Sequence, residues 1–93
     1  CYCMVGKYKH LENGDVVEAI QYTKSNLREI EKWGGDYVSP HDSLNIIMVK
    51  TQSGTLLAFI DDYICKDSVY GTYPVMRHKF ETQYIPLGDE PKI

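Results

Sequence analysis

The sequence predicts a small α+β domain, built as an antiparallel sheet or partly open barrel of about five to six strands with one short helix at residues 26–33. Two observations predict this class: short apolar runs bounded by turn residues recur in the second half, and one segment alone has helical spacing. A third is length, since 93 residues, 43% of them hydrophobic, can build one core. Residues 1–93 are therefore expected to form a single domain, with loose termini at 1–12 and 86–93.

The first strand and the helix are predicted in the first half of the chain. Residues 16–23 alternate enough for a strand covered on one face, and they follow the turn signal Asn13-Gly14. Asn26, with Glu29 three residues later, has the spacing of a capping box that would start the helix. Gly34-Gly35 is expected to end it, because glycine adopts the left-handed conformation at low cost. The apolar face of the helix consists of Leu27, Ile30 and Trp33.

A first hairpin is predicted around Gln52-Ser53-Gly54. The segments on either side, residues 45–50 and 55–60, are apolar at consecutive positions. Because neighbouring residues of a strand point to opposite faces, such segments are typical of strands buried on both faces. We therefore expect this hairpin to be the central pair of the sheet.

A second hairpin is predicted to join residues 63–66 to residues 70–75. Pro74 has no N–H to donate, so the latter strand should end there or lie at an edge of the sheet. Residues 76–80 are expected to form one helical turn or an irregular crossing. A last strand then follows at residues 82–85.

Charge and hydropathy exclude several classes of function. The formal net charge is −3, and a protein that grips nucleic acid needs a basic face to neutralise phosphates, so DNA or RNA binding is not expected. No apolar run approaches the roughly 20 residues that span a bilayer, and no signal-peptide pattern is present. The sequence thus predicts a cytoplasmic protein without a membrane partner.

The residue types that perform chemistry form no catalytic or metal-binding pattern. Asp61 and Asp62 are adjacent, and we expect them in a turn, where aspartate tolerates positive φ, rather than as a carboxylate pair. His10, His41 and His78 lack the spacing of metal ligands. We therefore expect no enzymatic activity, no cofactor and no metal site.

Two ungapped blocks of the chain have a recognisable spacing. The residues concerned are Val16, Glu18, Ala19, Gln21, Tyr22, Thr23 and Asn26 in the early block, and Asp62, Tyr63, Ile64, Lys66, Tyr73, Pro74, Phe80, Glu81 and Tyr84 in the late block. They resemble a family of small proteins of bacteriophages and prophages of Gram-positive bacteria, with the patterns V-x-E-A-x-Q-[FYW]-T-x-x-N and (P-G)-D-Y-I-x-K…Y-P…F-E…Y. The chain departs from the family at Ile60-Asp61, where Pro-Gly is usual.

The resemblance implies an origin and a scaffold but no mechanism. It places the protein in the cytoplasm of an infected bacterial host. Because family members start near Met4, residues 1–3, with Cys1 and Cys3, are expected to precede the natural start. The third cysteine, Cys65, lies in an apolar strand pattern and is expected to be a small buried hydrophobe.

Aromatic and basic residues gather in the late block. Eight tyrosines are many for this length, and tyrosine combines a large apolar area with a hydroxyl group, which suits interfaces and binding surfaces. These rings either border a thin sheet or line a concave site in which they stack on a base while cations meet phosphate. The candidate ligand-binding residues are Lys66, Tyr70, Tyr73, Arg77, His78 and Lys79. The candidate subunit-interface residues are Tyr63, Tyr70 and Tyr73.

Three functions are compatible with these patterns. The first is a non-catalytic counter-defence protein that sequesters a small host signal, such as a cyclic nucleotide, in a homo-oligomer. The second is an inhibitor of a host defence enzyme or nuclease, which would dock through a sheet edge or through the Leu27, Ile30 and Trp33 face. The third is an accessory phage protein without a defence role. A homo-oligomer is expected because one short helix leaves much of the sheet uncovered.

Overall fold

Two antiparallel sheets and two helices make up the fold of residues 6–40 and 45–87, the part of the chain that the computed structural model describes. The strands are β1 (Gly6–His10), β2 (Val16–Gln21), β3 (Val38–Pro40), β4 (Ile46–Thr51), β5 (Gly54–Phe59), β6 (Tyr63–Asp67), β7 (Gly71–Val75) and β8 (Tyr84–Leu87). The helices are α1 (Leu27–Gly34) and α2 (Arg77–Gln83), with a 3-10 turn at Gly35–Tyr37. The larger sheet has the order β7-β6-β2-β1-β8, and the smaller has the order β3-β4-β5. The predicted α+β class is confirmed, but the expected single sheet of five to six strands with one helix is wrong: the described residues form eight strands in two sheets and two helices, and these strands do not close into a barrel.

The larger sheet carries a hydrophobic core on each face. On one face, β2 and β6 pack against α1 and the smaller sheet; the buried residues are Ile20, Tyr22, Ile30, Val38, Ile47, Val49, Ala58 and Ile64. On the other face, the same strands pack against α2; the buried residues are Val17, Ala19, Cys65, Phe80 and Tyr84. The larger sheet is therefore the middle layer of three.

Strand β1 differs from the expectation of a loose N-terminal segment. It lies between β2 and β8, with Lys7 opposite both Glu18 and Leu87. Tyr8 secures it, because its ring meets the ring of Phe80 edge-on at 4.8 Å between centroids. Pro86 and Leu87, also expected to be loose, belong to β8, while residues 1–5 and 88–93 lie outside the described residues.

The first hairpin is present, but its predicted central place is wrong. β4 and β5 form a separate sheet with β3, and β5 is an edge strand. Leu56, Leu57 and Phe59 are 49%, 43% and 49% exposed. A strand that is apolar at consecutive positions is thus left largely in solvent.

Helix α1 starts differently from the predicted capping box and ends as predicted. No side chain caps the first turn. Instead, Asn26 is buried and turns back to β2: its Oδ1 accepts from the amide of Thr23 at 2.9 Å, and its Nδ2 donates to the carbonyl of Gln21 at 2.7 Å. The helix stops at Gly34, and Gly35 has φ 60°.

The turn between β5 and β6 confirms the interpretation of the adjacent aspartates. Asp61 has φ 80°, and Asp62 accepts a hydrogen bond from the amide of Phe59 at 2.9 Å. The turn is fastened to the end of β2, because the amide of Asp61 donates to the carbonyl of Tyr22 at 2.7 Å and the amide of Tyr22 donates to the carbonyl of Asp62 at 2.9 Å. It therefore joins the two sheets.

The second hairpin and the end of the chain follow the prediction in part. Pro74 lies in β7, an edge strand, as predicted. Cys65 is buried, as predicted, and burial raises the pKa of its thiol to about 12. The expected single turn at residues 76–80 is a longer helix, α2, and the last strand begins two residues later than expected. None of the helices in the described ranges is long and apolar enough to cross a membrane.

Phe80 offers the first test, because three rings surround it. It stacks on Tyr63 at 4.0 Å and on Tyr84 at 4.5 Å, in addition to the contact with Tyr8. Phe80→Ala should lower the free energy of unfolding by about 3 to 5 kcal/mol, measured by urea denaturation, since it removes buried area and leaves a cavity. Tyr70→Ala, at a ring that is 58% exposed, is the control and should cost less than about 0.5 kcal/mol; equal losses would contradict this packing.

The positive φ of Asp61 gives a second test. Asp61→Gly should be at least as stable as the parent, because glycine adopts this conformation freely. Asp61→Val should lose about 1 to 3 kcal/mol, because a β-branched residue is strained there. Thermal melts of the three proteins decide it, and a valine variant as stable as the glycine variant would show that the turn is not constrained.

Candidate functional site

The structure divides the predicted ligand-binding residues among three places. Tyr70 and Tyr73 lie together in a cleft on the α2 side of the larger sheet. Lys66 lies on the opposite face, because it is one residue beyond Cys65 in the same strand. Arg77, His78 and Lys79 are exposed at the start of α2 and line neither this cleft nor the cleft between the two sheets. The six residues therefore do not form one site.

The cleft that holds Tyr70 and Tyr73 has a volume of about 290 Å³. Its remaining lining residues are His10, Asn13, Asp15, Val17, Asp67 and Tyr84. The hydroxyl groups of Tyr73 and Tyr84 lie 3.2 Å apart. Burial, followed by this hydrogen bond, raises the pKa of the Tyr73 phenol, so the group stays neutral. With two carboxylates and no lysine or arginine, the lining is unsuited to a phosphate group.

Tyr63, the third interface candidate, is a packed ring. It is half-buried and stacks on Phe80 with an angle of 11° between the planes. Burial raises the pKa of its phenol. Tyr73 is also partly buried, so Tyr70 is the exposed member of the three.

A larger cleft, of about 500 Å³, opens between the two sheets. We call it the inter-sheet cleft. It is lined by Tyr37, Lys50, Thr51, Gln52, Gly54, Thr55, Lys66, Gly71 and Thr72. These residues come from the 3-10 turn after α1, the β4–β5 hairpin, and strands β6 and β7. It contains one of the predicted ligand residues, Lys66.

The hairpin side of the cleft is tied to the larger sheet. The side-chain amide of Gln52 donates to the carbonyl of Val69, in the β6–β7 turn, at 3.0 Å. Gly71 follows that turn with φ 80°, and a Cβ added there would lie 3.8 Å from the Gln52 side chain. Thr51 closes the hairpin from its own side, since its hydroxyl donates to the carbonyl of Gly54 at 2.6 Å.

Lys66, one of the residues that line the cleft, is held by α1. Its Nζ donates to the carbonyl of Trp33 at 2.6 Å and lies 4.8 Å from the centroid of the indole ring. The indole N–H in turn donates to Oε1 of Glu18 at 3.2 Å, and Glu18 is directly opposite Lys66 in the β2–β6 register. A cation near the carbonyls of the last helical turn is favourable. Lys66 therefore belongs both to the scaffold and to the cleft.

The lining of the inter-sheet cleft consists of cationic, aromatic, hydroxyl and amide side chains. The lining residues include Lys50 and Lys66, Tyr37 with its exposed ring, three threonines and one glutamine. It contains no Asp, Glu, His or Cys, the groups that most often act as general bases or nucleophiles. Across the described ranges, no group of three or more His, Cys, Asp or Glu residues is placed to hold a metal ion.

Sequence reasoning missed Tyr37, Lys50 and Gln52 as site residues. Gln52 was visible only as part of a turn signal, and Tyr37 and Lys50 have no mutual spacing in the chain. The antiparallel pairing of β3 with β4, in which Val38 lies opposite Val49, brings Tyr37 beside Lys50, and the packing of the two sheets adds Lys66 to the cleft. His41, which lacks the spacing of a metal ligand, lies outside the described residues.

Comparison of the chain with models of protein families, with curated proteins and with solved structures gives no match in any of the three.

The double role of Lys66 can be tested against Lys50. Lys66→Met should lower the free energy of unfolding by about 1.5 to 3 kcal/mol, the usual value for a hydrogen bond to a charged group. Lys50→Met, at an exposed lysine of the same cleft, should change it by less than about 0.5 kcal/mol. Urea denaturation of both variants measures this, and an unchanged Lys66→Met protein would mean that the contact with Trp33 does not stabilise the fold.

Proposed function

We propose that the protein is a non-catalytic binding protein that holds a small anionic ligand with an aromatic base, most simply a nucleotide, in the inter-sheet cleft. The observation that carries this proposal is the meeting of Lys50, Lys66 and Tyr37 around one cleft of about 500 Å³. Ammonium groups bind phosphate through charge-assisted hydrogen bonds. An exposed tyrosine ring provides a stacking surface for a base.

Size and polarity support the same ligand class. Small-molecule sites in proteins commonly measure about 300 to 1,000 Å³. Thr51, Thr55, Thr72 and Gln52 also line the cleft. Although the Thr51 hydroxyl and the Gln52 amide donate to backbone carbonyls, the exposed Thr55 hydroxyl and the acceptor oxygen of Gln52 can pair with sugar hydroxyls and with base edges.

The biological role follows from joining this site to the resemblance with phage proteins. A phage protein that binds a signalling nucleotide without turning it over lowers the free concentration of the signal in the cytoplasm of the infected host. Sequestration of this kind requires binding alone, and the lining contains no Asp, Glu, His or Cys. The proposal includes a homo-oligomer, because each assembly would then carry several ligand-binding clefts.

The alternative, an inhibitor of a host defence enzyme or nuclease, depends on an exposed docking surface. The predicted surface on α1 does not supply one, because Ile30 is fully buried and Leu27 and Trp33 pack against the core between the larger sheet, α1 and the smaller sheet. The predicted sheet edge remains available in β5. A negative binding screen would leave both this inhibitor and the third function, an accessory phage protein without a defence role.

A thermal-shift screen against cyclic di- and trinucleotides and isomers of ADP-ribose tests the ligand class, followed by calorimetry on any compound that raises the melting temperature. Lys50→Ala should then weaken binding by about 1.5 to 3 kcal/mol, roughly ten- to a hundredfold. Its own melting temperature without ligand should stay close to that of the parent. No stabilising compound in the screen would count against the proposal.

Lys79→Ala and Arg77→Ala are the matched controls, because both remove an exposed cation from α2, outside the inter-sheet cleft. They should bind the ligand as the parent does. If they lose affinity while Lys50→Ala does not, the ligand binds along α2, as the sequence predicts, and the assignment to the inter-sheet cleft is wrong.

A further inference from the structure

The four edges of the two described sheets are not alike. Three of the edge strands contain a proline: Pro40 in β3, Pro74 in β7 and Pro86 in β8. Proline cannot donate to a neighbouring strand, and proteins use it to protect sheet edges against unwanted pairing. β5 is the fourth edge, and it has no proline.

β5 also lacks the second common protection, which is charge. Residues 54–60 read GTLLAFI, without a charged side chain. Leu56 lies opposite the buried Val49 and Leu57 lies opposite Met48, so the two leucines point to opposite faces of the sheet. Both are nearly half exposed, which leaves apolar surface on both sides of the edge.

The direction of the free backbone groups follows from Phe59. Its amide donates to the side chain of Asp62, so it does not point towards β4. Paired residues of an antiparallel ladder alternate between those that bond to the neighbouring strand and those that point away. Leu57 and Thr55 therefore also direct their N–H and C=O groups out of the edge.

We propose that β5 pairs with β5 of a second copy of this chain, antiparallel and across a two-fold axis at Leu56. In this register Thr55 of each copy lies opposite Leu57 of the other, and their outward groups form four hydrogen bonds. Leu56 meets its own symmetry mate. The two three-stranded sheets become one sheet of six strands, whose outer edges are the proline-containing β3 strands.

A second copy is the occupant that the charges favour. Two-fold pairing places a strand against itself, so any charge near its middle would meet a like charge. Here the nearest acidic residue, Asp61, falls opposite Thr51 of the partner and meets no carboxylate. An apolar edge needs cover whenever the protein is folded, and another copy of the chain is always present for it. This interface is separate from the predicted one at Tyr63, Tyr70 and Tyr73, and it does not depend on any ligand.

Sedimentation of the ligand-free protein between about 10 and 100 micromolar tests the assembly. The parent chain should sediment as a dimer. Leu57→Pro removes one of the outward N–H groups and gives β5 the proline that the other edges carry, so it should raise the dissociation constant at least tenfold. Leu57→Lys, at an exposed position, should do the same if the proline variant does not fold. A monomeric parent, or variants that dimerise like the parent, would overturn the proposal.

Disulfide cross-linking tests the register. In a chain with Cys1→Ser and Cys3→Ser, Leu56→Cys places two thiols across the axis with Cα atoms about 4.5 Å apart, within the range a disulfide accepts. Oxidation should give a covalent dimer rapidly. Leu11→Cys, at a leucine 56% exposed in the turn after β1, is the control and should remain monomeric on denaturing gels. Equal rates for the two variants would exclude pairing at Leu56.

Discussion

The burial of β2 and β6 on both faces is the constraint on which the rest of the structure depends. Their neighbouring residues point to opposite sides, so Ala19 and Ile20, like Cys65 and Ile64, serve two different cores. One core requires α1 and the smaller sheet as cover, and the other requires α2. Each outer element is thereby placed relative to the same pair of strands, which also fixes the clefts at the margins of the layers.

The sequence was informative wherever apolar runs and turn signals coincided, and it failed where contacts distant in sequence decide the structure. β1 has a single large apolar residue, Tyr8, and its place in the sheet depends on pairing with β2 and β8. Asn26 had the spacing of a helix cap, yet its side chain is better satisfied by two backbone groups near β2. Residues 55–60 were apolar enough for a central strand. Hydrophobicity alone, however, does not say whether another part of the same chain packs against such a strand.

The candidate site was predictable only in its composition. An aromatic and basic segment is continuous in sequence, but strand alternation sends Lys66 to the face opposite Tyr73. Most residues that carry the family resemblance support the frame, as with the Gln21 side chain, which donates to the carbonyl of Asp61 at 3.1 Å. Among the residues of the inter-sheet cleft, Lys66 alone is one of the residues that carry the resemblance. The residues that stabilise the fold and the residues that line the inter-sheet cleft are thus largely different.

The main-chain bonds between Tyr22 and the Asp61–Asp62 turn bear on how a ligand would be selected. They fasten the connection between the sheets at one end, and the Gln52 side chain fastens the β4–β5 hairpin at the other. Because the two sheets are connected by hydrogen bonds at both ends, they have little freedom to move apart or together. The width of the inter-sheet cleft is therefore fixed before a ligand binds. A ligand that fits this width loses little affinity to ordering of the protein, whereas a bulkier ligand would clash with the lining.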